Sequence, residues 1–183
     1  MKDEIEARYR EDNFHVVAAG IDAPLLWNKR GDRQGYRKAE DDLATALEAI
    51  GRRPPTAAYR LPGEVTMQGP LIAWYLGAEW NVAITESYPR VFRQLLEYIN
   101  RCDLLHTADR LMQGLTPSSR RPEECEHGHE QDATLLAMAA WAAIQNPPLP
   151  NWQNLYDGDD CLFNPSGVPV SYWMPIPATN QPH

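Results

Sequence analysis

The sequence predicts an α/β domain, a sheet with flanking helices, continued by a proline-rich arm. Three observations carry this expectation. Two short apolar runs of β type are each closed by an acid and followed by a helical stretch, residues 129–145 are rich in alanine, and prolines crowd the chain from Asn146 onward. Residues 1–146 are therefore read as the α/β domain and residues 147–183 as a proline- and aromatic-rich C-terminal arm.

Residues 3–12 hold good helix formers with little apolar periodicity, which predicts a short solvated helix. His15 to Ile21 is a continuous apolar run of small and β-branched residues, the pattern of a strand covered on both faces in a parallel sheet, and it stops at Asp22-Ala23-Pro24. After a polar loop, residues 37–49 repeat apolar positions at Ala39, Leu43, Ala46 and Leu47 and end before Gly51, an amphipathic helix stopped by glycine. Residues 52–69, with three prolines and two glycines, predict a loop, and Pro70 to Leu76 a short buried helix that begins at its proline.

Trp80 to Thr85 is the second β-type run, closed by Glu86-Ser87-Tyr88-Pro89, and the helix after it carries its stripe on Val91, Leu95, Leu96 and Ile99. Residues 113–128 are polar and predict a loop; residues 129–145 then predict a close-packing helix. The aromatic residues set between the prolines of the arm argue for a segment laid on the domain, with one strand over Val168 to Trp173.

A chain of 183 residues can bury roughly 70% of its unfolded surface, enough for one core. Twenty-five acidic against seventeen basic residues leave a net charge of −8, so the overall field repels polyanions, and a nucleic-acid role needs a local patch or a metal. Cys102, Cys125 and Cys161 form no disulfide framework, no apolar run approaches the ~20 residues of a membrane span, and the N-terminus is charged. Together these predict a cytoplasmic protein.

Three carboxylates stand where chemistry would use them. Asp22 and Glu86 each close an apolar strand, and in open parallel sheets ligands bind at the carboxyl ends of strands. Asp132 shares a helix face with Leu136, Ala139 and Ala143, so it is expected on the packing side, and His129 lies one turn before it. Two carboxylates ~4 Å apart repel by about 4 kcal/mol at an effective dielectric near 20, so a converging cluster takes up a cation or a proton. Oxygen-only ligands favour Mg²⁺ or Mn²⁺. Plainer roles stand beside this: a turn-forming Asp22, a helix-capping Glu86 and a first-turn Asp132 favoured by the helix dipole.

The segments HVVAAGIDAPL with Asp22, GYRKAEDDL with Arg37 and Glu40, AITESYP with Glu86 and HEQDATLLAMAAWAA with His129 and Asp132 resemble, in order and spacing, a family of predicted nucleases with a ribonuclease-H-like fold. The resemblance spans about residues 15 to 145. It implies a ribonuclease-H-like mixed sheet, Asp22, Glu86 and Asp132 as ligands of Mg²⁺ or Mn²⁺, His129 as a base or orienting group, and DNA or RNA as partner. Arg37 would then contact a phosphate or hold Glu40; the residues by themselves favour an ordinary surface i,i+3 ion pair.

The resemblance also implies a preceding hairpin-plus-strand unit that supplies a central Asp, whereas here the chain opens on a charged helix in which Asp3 and Asp12 cannot replace it. The expectation is a domain incomplete at its N-terminus, with an exposed sheet edge covered by a partner chain, by a homo-oligomer or by the arm. A non-catalytic binding or assembly subunit on the same scaffold is the rival function.

Cys125, His127 and His129 are of types that zinc accepts, but their spacing matches no standard finger. Arg120-Arg121, Arg52-Arg53 and Arg30/Arg33/Arg37, with Tyr36, Tyr59 and Trp27 near them, would suit phosphate contact and stacking, though most such clusters are solvated loop charges.

Overall fold

The computed structural model describes residues 15–28, 30–57, 60–61, 63–101, 103–106, 127–156 and 161–176. The helix expected over 3–12 lies outside these residues, as do Cys125, the Arg120-Arg121 pair and residues 113–126 of the loop expected over 113–128, whose last two residues, His127 and Gly128, are already helical.

The architecture is α/β. Strand β1 (Ala18–Ile21) pairs in parallel with β3 (Ala83–Glu86), with Ala18 opposite Ala83 and Ile21 opposite Glu86. β3 pairs in parallel with β6 (Val170–Ser171), so the main sheet runs β1-β3-β6. Two antiparallel pairs complete the strands: β2 (Trp27–Asn28) with β5 (Cys161–Phe163), and β4 (Trp152–Asn154) with β7 (Trp173–Pro175). The arm thus supplies β6 to the sheet and covers the outer edge of β3. No strand pairs with the other edge of β1 among the described residues, and Val17 there is 60% exposed.

Helix α1 (Lys38–Ala49) opens as expected and closes on a Schellman turn. Gly51 takes φ +70°, its N–H donates to Glu48 O, and Arg52 N–H donates to Leu47 O. Helix α3 (Pro89–Tyr98) ends in the same way with Asn100 at φ 56°, its proline sitting at the first turn where no N–H is missed.

Helix α2 (Gly63–Trp74) departs from the expectation that residues 52–69 are loop and that Pro70 begins a helix. The helix starts seven residues earlier, holds Pro70 inside, and runs on into a π turn at Tyr75–Glu79. Burial overrides propensity here. Val65, Gly69, Ala73 and Leu76 pack with Ala23 and Leu25, and a Cβ on Gly69 would stand 2.4 Å from that of Ala23.

Helix α4 (His127–Ala143) buries Leu135, Met138, Ala139 and Ala142, a stripe rotated by about one residue from the expected Leu136, Ala139 and Ala143. It lies across β1 so closely that a Cβ on Gly20 would fall 2.2 Å from Leu136 O. Two cores result. One joins Ile21, Ala23, Leu25, Ala73, Leu76, Val82 and Ile84 beneath α2; the other joins α1, α3, α4 and the arm through Leu43, Phe92, Leu95, Leu135, Trp152, Tyr172 and Met174. No helix among the described residues is long and apolar enough to cross a membrane.

Candidate functional site

The carboxyl ends of β1 and β3 open into a cleft of about 270 Å³ lined by Asp22, Pro24, Arg37, Glu40, Thr56, Glu86, Ser87 and Tyr88, among others. Its floor is a buried ionic network. Glu86, 4% exposed, accepts from the N–H of Leu25 at 2.7 Å, from Arg37 Nη2 at 2.6 Å and Nη1 at 3.2 Å, and from the Tyr156 hydroxyl in a short bond. Arg37, 5% exposed, also donates from Nε and Nη2 to Glu40 Oε1 at 3.0 and 2.8 Å, and from Nη1 to Leu26 O at 2.6 Å and to Tyr156 Oη at 2.8 Å. Glu40 reaches back to accept from Arg37 N–H at 3.1 Å, so the pair also caps α1.

The surface i,i+3 ion pair expected of Arg37 and Glu40 is therefore a buried one. Three charges and a phenol are taken out of water together, and the planar guanidinium satisfies both carboxylates at once. Burial works against the Arg37 charge, but Glu86 and then Glu40 outweigh it and hold its pKa above its already high ordinary value. Burial followed by the Glu86 charge pushes the Tyr156 hydroxyl well up, so it stays a donor. Trp27 and Tyr156 each place a ring 5.9 Å from the guanidinium carbon.

Asp22 belongs to a different setting. It keeps contact with solvent, yet its pKa is raised to about 6, by desolvation first, then by the charge of Asp132, then by that of Glu86. The nearness of Asp132 follows from the packing. Leu136 sits on Gly20; Asp132 lies one turn before Leu136, about 6 Å along the helix, and Asp22 two residues after Gly20, about 6.6 Å along the strand. The two offsets match, so the charge of Asp132 reaching Asp22 means that α4 runs antiparallel to β1. Asp132 is half-buried and His129 exposed.

Asp22, Glu86 and Asp132 thus share one neighbourhood, but they do not make one three-ligand cage. Among the described residues no group of three or more His, Cys, Asp and Glu side chains is gathered closely enough to hold a metal ion. Register is the reason. Ile21, not Asp22, stands opposite Glu86, and consecutive residues leave a strand on opposite faces, so the two acids start out on different sides of the sheet. Glu86 then turns to Arg37, while Asp22 turns to α4.

Two functional residues escaped the sequence reading. Tyr156 lies in the arm, 119 residues from Arg37, and only its setting as an aromatic among prolines marks it. Ser87 follows Glu86 directly; its hydroxyl is buried in the cleft wall with no hydrogen-bond partner among the described residues. Comparison with protein-family models, with curated proteins and with solved structures returns no match to this chain.

Proposed function

We propose that the chain is a ribonuclease-H-like domain whose cleft performs divalent-metal-dependent, nuclease-type hydrolysis of phosphodiesters in DNA or RNA. The observation that carries the reading is the place of Asp22, a solvent-touching carboxyl at the carboxyl end of a parallel strand pair, where burial first and then the charges of Asp132 and Glu86 raise its pKa to about 6. A cation relieves that repulsion.

The donors present suit Mg²⁺ or Mn²⁺ held by few protein ligands. Asp22 and Asp132 offer hard oxygens, and Mg²⁺ commonly binds through one or two carboxylates while keeping several waters. The oxygens of Glu86 are already committed to Arg37, Tyr156 and Leu25 N–H, which makes Glu86 a positioning residue: with Arg37 it clamps the backbone at Leu25 and Leu26, just beyond Asp22. His129, exposed on the turn before Asp132, would serve as the base or orienting group. When bound, the cation would supply charge stabilisation at a phosphoryl oxygen and a water of lowered pKa.

Calorimetric titration with Mg²⁺ and Mn²⁺ tests this directly. Binding that Asp22→Asn and Asp132→Asn each weaken, together with metal-dependent cleavage of single- or double-stranded DNA or RNA, supports the reading; absence of binding sinks it. A second reading, a non-catalytic binding or assembly subunit, draws on the full engagement of Glu86. It predicts no metal uptake, and its test is capture of a second chain in sedimentation experiments.

A further inference from the structure

Most of the large apolar side chains exposed among the described residues lie on the three elements that meet at the free edge of β1. Met67, Leu71 and Trp74 stand on α2, Trp141 and Ile144 at the end of α4, and Val16 and Val17 where the chain enters β1. The two helices cover opposite faces of that strand: Gly20 touches α4, while Ile21 joins Ala73 and Leu76 in the core beneath α2. On α2 the exposed residues recur at i, i+4 and i+7, opposite the buried Gly69 and Ala73, and no charged residue occurs from Val65 to Ala78. On α4 none occurs from Ala133 to Ile144. Gln131 marks the flank of α4 that meets α3, through Arg93, and Leu136 the part that sits on Gly20. Exposed Ala133, Ala137 and Trp141 follow round the helix beyond Leu136, on the side away from α3. A helix that is apolar on all sides is normally covered on all sides, yet Trp74 and Trp141 are each 47% exposed.

The backbone of β1 is open at the same place. Val17 O and Ile21 O accept from the N–H groups of Ala83 and Ser87, so Ala18 and Gly20, which alternate with them, turn their own N–H and C=O groups to the unpaired edge. The patch gathers toward the amino end of the strand, away from the cleft. Trp141 lies five residues after Leu136 on a helix antiparallel to β1, about 7.5 Å along it, and Val17 three residues before Gly20, about 10 Å along the strand. α2 likewise starts at the cleft, where Val65 lines the wall, and its π turn ends beside Val82, whose N–H donates to Leu76 O one residue before Ala83, the partner of Ala18.

We infer that this edge is the interface between two copies of the chain, joined by antiparallel pairing of β1 with the β1 of the second copy. Charge selects the occupant. Each chain carries −8, so copies repel at long range and can meet only through an uncharged face, and this face offers nothing for a charged partner to pair with. A two-fold axis normal to the sheet keeps α2 beside its own copy and α4 beside its own copy, so each apolar stripe meets its like. Area agrees with this. Three layers at about 10 Å each, along the ~25 Å length of α4, present about 750 Å² per copy, near the ~800 Å² per partner of a stable interface.

Sedimentation equilibrium of the wild-type chain is expected to give twice the chain mass as concentration rises. Trp74→Glu and Trp141→Glu each place a charge on both sides of the axis and are expected to weaken self-association about tenfold or more. Leu162→Glu, on an exposed position of β5 outside the patch, is expected to leave it unchanged. A reading that needs no variant is hydrogen exchange at the Ala18 and Gly20 amides of the wild type, which slows as protein concentration increases. A chain that stays monomeric overturns the interface, whether it takes up lipid vesicles or a different protein instead. So do a dimer that neither tryptophan substitution weakens, one that Leu162→Glu dissociates, and exchange rates indifferent to concentration. The cleft lies at the other end of β1, so these outcomes stand apart from the fate of the hydrolytic reading, which Mg²⁺ binding decides.

Discussion

Asp22 and Glu86 occupy the same kind of place in the sequence and opposite kinds of place in the molecule. Each ends an apolar strand, and each precedes a proline within three residues. Glu86 is sealed, paired with an arginine, a tyrosine and a backbone N–H, and its charge is an asset to the fold. Asp22 meets solvent on one side and other carboxylates on the other, and its charge is a liability. A strand-end acid becomes a sealed anchor or a carboxyl that resists ionisation according to whether a cation of the protein's own reaches it.

The sharpest way to break that contrast is to remove the cation. Arg37→Ala should cost about 4 kcal/mol, because it leaves Glu86 and Glu40 buried and unpaired, and denaturant melts should show it. Gly20→Ala comes next, at about 3 kcal/mol: the new methyl meets Leu136 O and lifts α4 away from β1. The same change should return the Asp22 titration toward its ordinary range by lessening its burial and withdrawing Asp132, which carboxyl NMR would follow. Tyr156→Phe should cost about 2 kcal/mol by taking one donor from the Glu86 carboxylate.

Asp22→Asn is expected to have the smallest effect and the opposite sign. A carboxyl whose folded pKa is raised from 3.8 to about 6 destabilises the fold wherever both states are ionised, at pH 7 and above. That cost fades as pH falls through about 6 and is gone below 3.8. The substitution should therefore stabilise the protein at pH 7 by about 1 kcal/mol, a value discounted for the exposure of the side chain, and make no difference at pH 3.5. A metal that binds at Asp22 should mimic the effect, so added Mg²⁺ should raise the wild-type midpoint at pH 7 and leave Asp22→Asn unmoved.

Much of this was readable from local pattern. The runs ending at Ile21 and Glu86, the stripe from Ala39 to Leu47, the stop at Gly51 and the alanine-rich helix each declare themselves within a dozen residues, because period and capping are local properties. Helix α2 was not readable: Gly69 and Pro70 signal a break, and only the close approach to Ala23 and Leu25 compensates for them. The three acids were expected to converge as equals on one cation; they share a neighbourhood in different settings. Nothing within ten residues of Glu86 announces Arg37 or Tyr156, which come from 49 and 70 positions away.

The sequence by itself determined the alternation of strands and helices, the acidic balance, and the placing of Asp22 and Glu86 at strand ends and of Asp132 early in a helix, all of which follow from side-chain period and from proline and glycine acting on their own neighbours. Tertiary structure alone decided the parallel register that puts Ile21 rather than Asp22 opposite Glu86, the docking of α4 on Gly20, and the return of the arm that brings Tyr156 to Arg37. The division is physical: conformational preferences act through bonds and near neighbours, whereas charge, burial and register act across space, between residues whose separation along the chain says nothing of their distance.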